Sequence, residues 1–396
     1  MPESGPDSTA RALPSASWAE VDLAAIRHNL HQIRSLVGPA CGVWAVVKAD
    51  AYGHGAVPVA RAAAEAGAAG LAVSSLGEAA ELRESGLEAP ILLLGSGNCN
   101  WAEAAVRLDL IQTACDPDIV RLISRAAEEL GKTARVHLKI DSGMGRFGVA
   151  PEDAASFAET LLSLPGLRLE GVFSHLAAAE DADPSYALLQ FGRYQTSLQA
   201  LSAASVDPGI RHLANSAAAL RFPDMRLDAV RTGLAIYGIR PDAPDLPPLD
   251  LRPALTWKTR VAFTQRVPAG SSISYGRTYV TKQDTLVAVL PVGYADGYPR
   301  HASNRAQVLL RGTACRVIGV VCMDHLMVDA TATGEPRVGD EVTLLGRQGN
   351  AQISANQLAQ WAGTVVHAVP TLIGQRVRRH HLDGDKRSGS GAGTER

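Results

Sequence analysis

The chain has 396 residues, enough for two domains, and its 46% hydrophobic and 20% charged residues are an ordinary globular composition. Its 38 basic and 40 acidic side chains give a formal net charge of −2, so no basic excess favours nucleic acid or an anionic membrane as a partner. No apolar run is long enough to span a membrane, and the first residues lack the apolar segment of a secretory signal. A cytoplasmic protein is therefore expected.

Five cysteines are scattered along the chain, and none of them forms a Cys-x-x-Cys pair. An odd count at irregular spacing predicts neither a disulfide framework nor a zinc site, and it favours a reducing compartment. Residues 1–16 are rich in Pro, Ser and Ala, and residues 384–396 have low complexity. Both ends are predicted to be disordered.

The first half of the chain alternates between two patterns, beginning with a possible strand at 17–23 and a helix at 23–37. Short apolar or β-branched runs alternate with stretches of helical period up to residue 240. The predicted strands are 41–48, 70–75, 90–95, 110–115, 134–141, 169–175, 210–214 and 229–233, and the helices between them include 56–67, 76–86, 117–131, 151–163 and 186–205. Eight such units over 17–240 predict an eight-stranded (β/α) barrel, although an open doubly wound sheet would give the same local pattern.

The pattern changes after residue 240. A proline-rich segment at 241–251 predicts a linker, and the Val-, Thr- and Gly-rich segments that follow predict a mainly-β domain over 252–383. One short helix is expected at 355–363. The strand at 17–23 could join this second domain.

Polar residues fall at the predicted carboxyl ends of the barrel strands, where barrel enzymes place their active sites. They are Lys48, Lys139, Arg146, His175, Asn215, Ser216 and Arg231, together with Gly233 and Leu234. A single lysine or arginine at a strand end is more often a solvated charge, and a single histidine is more often structural. The coincidence of so many at one rim favours a functional site.

This rim is cationic and suited to a phosphate. Ser216 and the backbone at Gly233 and Leu234 fall at the usual phosphate position of a barrel, where N–H groups of a glycine turn can bind a phosphate. A lysine on the first strand facing such a site suggests pyridoxal phosphate, carried covalently by Lys48. Burial would favour the neutral, nucleophilic form of this amine.

Longer motifs extend this interpretation. The segment AVVKADAYGHG, residues 45–55, resembles the lysine signature of the alanine racemases. Seven further segments resemble the same family in its order: HLKIDSGMGRFG (137–148), VFSH (172–175), HLANSAA (212–218), RTGLAIYGI (231–239), ISYGRTY (273–279), PVGYADGYPR (291–300) and VCMDHLMVD (321–329). The resemblance implies a head-to-tail homodimer that interconverts L- and D-alanine and supplies D-alanine for peptidoglycan.

The resemblance also implies which residues bind the cofactor. Lys48 would hold pyridoxal phosphate and act as one of two bases, and Arg231 would donate to the pyridine nitrogen. The phosphate would be bound by Tyr52, Ser216, Gly233 and Leu234, with Asn215 and His175 completing the cofactor-binding set. No metal is implied.

Substrate binding and the second base are implied in the same way. Tyr275 of the partner subunit would be the second base, and His175 would link it to Arg231. Arg146 would contact the cofactor's phenolic oxygen and the substrate carboxylate, and Lys139, which is carbamylated in many members, would orient it. The backbone N–H of Met323 would bind the carboxylate, and Tyr294 would line the entrance.

Physical chemistry is consistent with these roles. Racemisation removes a proton from one face of Cα and returns one to the other, so two bases suffice. A tyrosine has an ordinary pKa of about 10, and a cationic pocket would lower it toward a usable base. Arginine stays protonated and does not give a proton to the ring nitrogen, which limits delocalisation into the ring and hence transamination.

One position departs from the family pattern. Many members carry a phosphate-contacting tyrosine where this chain has Gln375, so the phosphate is expected to be held less tightly here.

Three alternative functions stay open. A broader-range amino-acid racemase is the first alternative. A related decarboxylase would pair the ring nitrogen with a carboxylate, where Arg231 stands here. A non-enzymatic pyridoxal phosphate carrier would lack the β-domain that contains Tyr275.

Overall fold

The computed structural model describes residues 16–95 and 100–384. The predicted disordered ends lie outside the described residues except for Ala16 and Gly384. The strands are β1 Ser17–Asp22, β2 Gly42–Val46, β3 Gly70–Val73, β4 Ile91–Leu93, β5 Ile111–Ala114, β6 Ala134–Lys139, β7 Leu167–Phe173, β8 Ile210–His212, β9 Ala229–Thr232, β10 Leu255–Arg260, β11 Phe263–Val267, β12 Ser272–Ile273, β13 Tyr279–Val280, β14 Thr285–Leu290, β15 Gln307–Leu310, β16 Thr313–Arg316, β17 Leu326–Asp329, β18 Glu341–Gln348, β19 Ala351–Ile353 and β20 Arg378–Leu382. The helices are α1 Leu23–Val37, α2 Lys48–Gly53, α3 Ala56–Glu65, α4 Leu76–Glu84, α5 Ala102–Arg107, α6 Pro117–Glu129, α7 Ala154–Ser163, α8 Ser185–Ala203, α9 Ser216–Arg221, α10 Ala355–Ala362 and α11 Ala368–Thr371.

Strands β2 to β9 form a closed parallel barrel, which confirms the predicted fold class over the open sheet. Closure comes from β9, which pairs with β2 in a parallel register of Gly42 with Ala229 and Trp44 with Arg231. The barrel strands are apolar and mostly buried, as expected when helices cover a parallel sheet.

The barrel strands end one or two residues earlier than their sequence pattern suggests. Strand β2 ends at Val46 and β7 at Phe173, although the apolar pattern continues toward Lys48 and His175. Val47 and Ser174 still donate backbone hydrogen bonds to the neighbouring strands, and the chain leaves the barrel wall after them. Lys48 is therefore the first residue of α2 and His175 lies in the segment after β7, so neither occupies the last position of a strand.

Several barrel helices begin at residues that satisfy their free backbone N–H groups. Helix α6 begins after Asp116, whose carboxylate accepts from the backbone of Asp118 and Ile119, with Pro117 in the first turn. Helix α4 begins with a capping box in which Ser75 and Glu78 accept from each other's backbone N–H. Such caps stabilise a helix by about 1 kcal/mol each. The Glu78 carboxylate also reaches the candidate site.

The chain divides into two compact units: a barrel unit, Asp22–Ala254 with the chain from Asp383, and a β-unit, Leu255–Leu382 with the chain up to Val21. In the β-unit, β1 pairs antiparallel with β10 within the sheet β16-β15-β18-β10-β1-β20, to which β19 is added beside β18. A second sheet has the order β11-β14-β17, and β12 and β13 form a hairpin. Among the described helices, none is both long and apolar enough to cross a membrane.

Candidate active site

The predicted rim residues of the barrel unit lie together at the carboxyl ends of its strands. His175 shows this clustering most clearly, because four cations act electrostatically on its imidazole: Arg231, Arg146, Lys139 and Lys48. Burial, followed by these charges, lowers the pKa of His175 well below its usual value. A neutral imidazole thus lies within a cluster of positive charge.

Lys48 opens a turn with unusual backbone geometry. Ala49, Asp50, Ala51 and Tyr52 all have positive φ between 51° and 55°, so four consecutive residues other than glycine lie in the left-handed region. Such residues cost roughly 1–2 kcal/mol each, and strain of this kind concentrates at functional sites.

Two carboxylates stabilise this left-handed turn. Glu78 Oε1 accepts from the Ala49 N–H at 2.7 Å, and Asp50 Oδ1 accepts from the Ala56 N–H at 2.7 Å. The other Glu78 oxygen accepts from the backbone of Ser74 and Ser75. One side chain therefore caps α4 and positions the residue after Lys48.

The amine of Lys48 is half-buried beside other cations. Burial and the charge of Arg146 lower its pKa, while Glu78 acts in the opposite direction. A lowered pKa increases the neutral fraction of the amine, which is the nucleophilic form. The geometry thus agrees with the predicted desolvated lysine.

Arg231 is a buried cation whose hydrogen-bond acceptors are all neutral. Arg231 is 4% exposed. Its Nη1 donates to His212 Nδ1 at 2.7 Å and to the His212 carbonyl, and its Nη2 donates to the carbonyls of Ser174 and Leu213 and to His175 Nδ1 at 3.4 Å. Burial lowers its pKa to about 10. Among the described residues no carboxylate forms an ion pair with Arg231, and Nε is its remaining donor.

His212 and His137 extend this network into the barrel core, and both were missed in the sequence. Because arginine only donates, His212 Nδ1 accepts and its Nε2 proton is donated to His137 Nδ1 at 2.9 Å. Burial lowers the pKa of His137 to about 3 and that of His212 well below its usual value. His137 lies two residues before Lys139 on β6, so the two side chains are on the same face of the strand. This spacing was the sequence signal from which His137 could have been predicted.

The His212 ring lies between two aromatic rings. It stacks against Phe173 at 4.9 Å and Trp44 at 6.2 Å between centroids, with an interplanar angle of 4° in each case. His137 Nε2 is buried, with no hydrogen-bond partner among the described residues. The network therefore supplies Arg231 with a fixed, uncharged acceptor.

Lys139 and Arg146 lie at the end of β6 and in the loop that follows. Lys139 Nζ is 3.5 Å from the centroid of the Phe147 ring, and burial and Arg146 lower its pKa to about 8. The Asp141 carboxylate accepts from the backbone N–H groups of Gly143, Met144 and Gly145, which shapes the loop leading to Arg146. Burial raises the pKa of Asp141, but these N–H groups outweigh it and the net shift is downward.

Backbone donors converge at the predicted phosphate position. Ser216 Oγ accepts from the Gly233 N–H at 3.1 Å and the Ala235 N–H at 3.3 Å. Asn215 caps α9, its side chain accepting from the Ala218 N–H. A Cβ at Gly233 would lie 2.6 Å from Tyr52 Oη, so glycine permits the close approach of that phenol. Leu234 is buried and starts the turn after Gly233.

The remaining predicted residues lie in the β-unit. Tyr275 is 71%, Met323 53% and Tyr294 41% exposed, and Gln375 is also exposed. Backbone hydrogen bonds join their segments: the Tyr294 N–H donates to the Cys322 carbonyl and the Ala295 N–H to the Met323 carbonyl. The Gly374 N–H donates to the Asp296 carbonyl, and Arg376 pairs with Asp324 at 2.9 Å. These segments therefore adjoin one another.

No group of three or more His, Cys, Asp or Glu side chains suited to a metal ion occurs within 16–95 or 100–384. The donors at the rim are amines, guanidinium groups, hydroxyls and backbone N–H groups. Such a set suits an anionic organic group rather than a metal cation.

Comparison with known proteins identifies the family. A model of the alanine racemase N-terminal domain matches residues 21–241, and one of the C-terminal domain matches residues 254–381. The chain belongs to the alanine racemase family. The alanine racemase of Symbiobacterium thermophilum is 48% identical over 366 residues, 92% of this chain and 97% of that protein. That of Halothermothrix orenii is 42% identical over 365 residues, 92% of this chain and 96% of that protein.

Solved alanine racemases have the same architecture. The enzyme of the D-cycloserine-producing Streptomyces lavendulae has a TM-score of 0.87 and 39% identity, covering 94% of this chain and 99% of its own. The Bacillus anthracis enzyme with bound L-Ala-P has a TM-score of 0.87 and 38% identity, covering 93% of this chain and 96% of its own. These relatives confirm the expected family and an isomerase rather than a non-enzymatic carrier, whereas the individual residue roles stay predictions.

Proposed function

We propose that this alanine racemase family member interconverts L- and D-alanine with pyridoxal phosphate bound on Lys48, and that the D-alanine supplies peptidoglycan. One observation supports the cofactor above all: Arg231 is buried with neutral acceptors, amid Lys48, Lys139 and Arg146. A buried, unpaired cation is costly, so a cluster of this kind favours an anionic ligand.

The residues at the rim fit this cofactor chemically. The amine of Lys48 has the lowered pKa expected of a lysine that captures an aldehyde. The donors around Ser216 and Gly233, with Tyr52 and Asn215 beside them, suit a phosphate. Arg231 Nε would donate to the pyridine nitrogen, and the cofactor, once bound, would withdraw electrons from Cα and make its proton removable.

The protein's own groups would then move the proton. Lys48 would take it from or return it to one face of Cα, and Tyr275 would do so on the other. Arg231 would stay protonated and keep the ring nitrogen unprotonated, since a pKa of about 10 still lies well above neutrality. His175 would connect Arg231 with Tyr275.

The substrate carboxylate would be bound by two groups. Arg146 would donate to it through its guanidinium, and Met323 would donate through its backbone N–H. Lys139 would orient Arg146, and its pKa of about 8 leaves a neutral fraction suited to carbamylation. Tyr294 would line the substrate entrance.

The exposure of Tyr275 supports a homodimer with shared sites. A phenol acts as a base only where water is excluded and positive charge stabilises the phenolate. With 71% of its surface exposed in the single chain, Tyr275 needs further protein surface to cover it. We propose that the barrel unit of a second copy provides that surface.

The direct test is incubation of the purified protein with L-alanine and pyridoxal phosphate. D-Alanine should accumulate to an equal mixture by chiral chromatography, with no carbon dioxide released. Serine and larger amino acids, run in parallel, separate an alanine-specific enzyme from a broader-range racemase. Release of carbon dioxide, or an unchanged L-alanine pool with the cofactor bound, would contradict the proposal.

Gln375→Tyr is expected to slow the loss of pyridoxal phosphate on dialysis several-fold. Tyrosine would restore the phosphate contact that many family members have at this position, through a charge-assisted O–H hydrogen bond. The fraction of cofactor retained is read from absorbance, with Gln283→Tyr, at another exposed β-unit position, as control. Equal or faster loss from Gln375→Tyr would place Gln375 away from the phosphate.

A further inference from the structure

Tyr275 lies in a turn whose backbone is strained on both sides. It follows β12, and Ser274 before it has φ 66° and ψ −177°, a region that glycine occupies almost alone. Gly276 and Arg277 after it also have positive φ, of 68° and 52°. Such a conformation persists only where surrounding contacts enforce it, so the contacts of this turn are informative.

The side chain of Ser274 holds the N-terminal side of this turn by a hydrogen bond. Its Oγ donates to the Val320 carbonyl at 2.6 Å and lies 3.4 Å from Cys322 Sγ. Gly319 makes room for it, since a Cβ there would lie 2.6 Å from Ser274 Cβ. The residue before Tyr275 is therefore packed directly on segment 319–322.

Asn304 connects the C-terminal side of the turn to the same segment, 319–322. Its Nδ2 donates to Thr278 Oγ1 at 3.0 Å, and its Oδ1 accepts from the Gly319 N–H at 2.6 Å. The neighbouring Ser303 Oγ accepts from the Val321 N–H at 3.0 Å. Tyr275 is thus held between two hydrogen-bonded connections that end on one short segment.

That segment continues directly into Met323. The Cys322 N–H donates to the His325 carbonyl, and the Cys322 and Met323 carbonyls accept from Tyr294 and Ala295. The connections therefore fix the Tyr275 backbone relative to the Met323 N–H. In the proposed function these are the second base and a carboxylate donor, whose separation sets where Cα lies against the phenol.

We propose that Ser274 and Asn304 are positioning residues that hold the Tyr275 phenol at a set distance from the Met323 N–H. This inference rests on the proposed function. A displacement of about 1 Å can slow a reaction about 100-fold, so a small loosening of this turn should be visible in catalysis. Because Tyr275 would act on one face of Cα only, the defect should affect one proton transfer and spare the one at Lys48.

The catalytic test compares Ser274→Gly and Asn304→Gly with wild type, using alanine deuterated at Cα. Glycine suits the positive φ at both positions, but it lacks the Ser274 hydroxyl and the Asn304 amide that contacts Thr278 and Gly319. We expect kcat/KM to fall 10- to 100-fold in both directions, as the equilibrium between enantiomers requires. The deuterium isotope effect should rise for the enantiomer deprotonated by Tyr275 and fall for the other.

The matched control is Ser271→Ala. Ser271 Oγ donates to the Pro268 carbonyl at 2.8 Å, so this variant removes a similar bond just before the same hairpin without touching segment 319–322. Its isotope effects should equal those of wild type. Isotope effects that change alike for both enantiomers, or a Ser271→Ala variant that matches Ser274→Gly, would overturn the inference.

Amide hydrogen exchange tests the connections without catalysis. In Ser274→Gly the amides of 274–278 should exchange at least several-fold faster than in wild type, while those of β18 stay unchanged. Unchanged exchange at 274–278 would overturn the positioning role even if activity fell. If the wild-type protein racemised nothing, the proposed function would fail and the positioning role with it, whereas faster exchange would still establish the connections themselves.

Discussion

Replacement of Lys48 by alanine is expected to abolish racemisation, with a loss of about 10⁴-fold or more, because in the proposed function Lys48 provides both the covalent attachment of the cofactor and one of the two bases. The absorbance of the bound cofactor should disappear with the activity. Lys48→Arg keeps the positive charge but offers no neutral amine, so it should be equally inactive. Lys132→Ala, at an exposed lysine of the barrel unit, should behave as wild type.

The lysine to which the cofactor attaches can be mapped by experiment, and the structure favours Lys48 over Lys139. Lys48 and Lys139 are both at the rim with lowered pKa values. Lys48 opens the turn that brings Tyr52 to Gly233, whereas Lys139 Nζ lies on the Phe147 ring. Borohydride reduction and peptide mass mapping should therefore find the pyridoxyl group on Lys48. A modified Lys139 would reverse the assignment of the two lysines.

The barrel could be predicted from the sequence because its signal is repetitive. Eight apolar runs alternating with helical stretches constrain the fold even when each boundary is imprecise. The boundaries erred at the rim, where Val47 and Ser174 continue the apolar or small-residue pattern beyond the last strand residues, Val46 and Phe173. Pairing between strands, which sequence periodicity does not report, determines where each strand stops.

The turn after Lys48 illustrates what local sequence could not reveal. Ala-Asp-Ala-Tyr has no glycine, and helix propensity alone would favour an ordinary right-handed turn. The left-handed conformation is stabilised by Glu78, 29 positions away, and by Asp50. Lys48 could be predicted as a candidate from its position near a strand end, but Glu78, which shapes its surroundings, could not.

The rim residues could be predicted from the sequence, whereas the residues that support them could not. Lys48, Arg146 and Arg231 were predicted because strand ends meet at one edge of the barrel. His212 and His137 connect to each other across 75 positions, and Asn304 links Thr278 with Gly319 by two side-chain bonds. These contacts depend on tertiary geometry, and no spacing along the chain indicates them.

Mixing two inactive variants is expected to restore about a quarter of wild-type activity if each site takes Lys48 from one chain and Tyr275 from its partner. Lys48→Ala and Tyr275→Ala would each be nearly inactive alone. Unfolded and refolded together in equal amounts, half of the dimers are mixed, and a two-fold mixed dimer has one site with both defects and one with neither. Half of the sites in half of the dimers gives about a quarter, measured as the rate of D-alanine formation.

A second pair of variants separates shared sites from a general effect of refolding. Lys48→Ala and Arg231→Gln both alter the barrel unit, so every site in their mixed dimers has one defect, and no activity should return. If both bases came from one chain, the Lys48→Ala and Tyr275→Ala mixture would also stay inactive, although mass spectrometry found mixed dimers. The 71% exposure of Tyr275 argues against that outcome, because a phenol so open to water lacks the dry, cationic surroundings that a tyrosine needs to act as a base. Recovery in the first pair and none in the second therefore requires that the partner's barrel unit covers Tyr275.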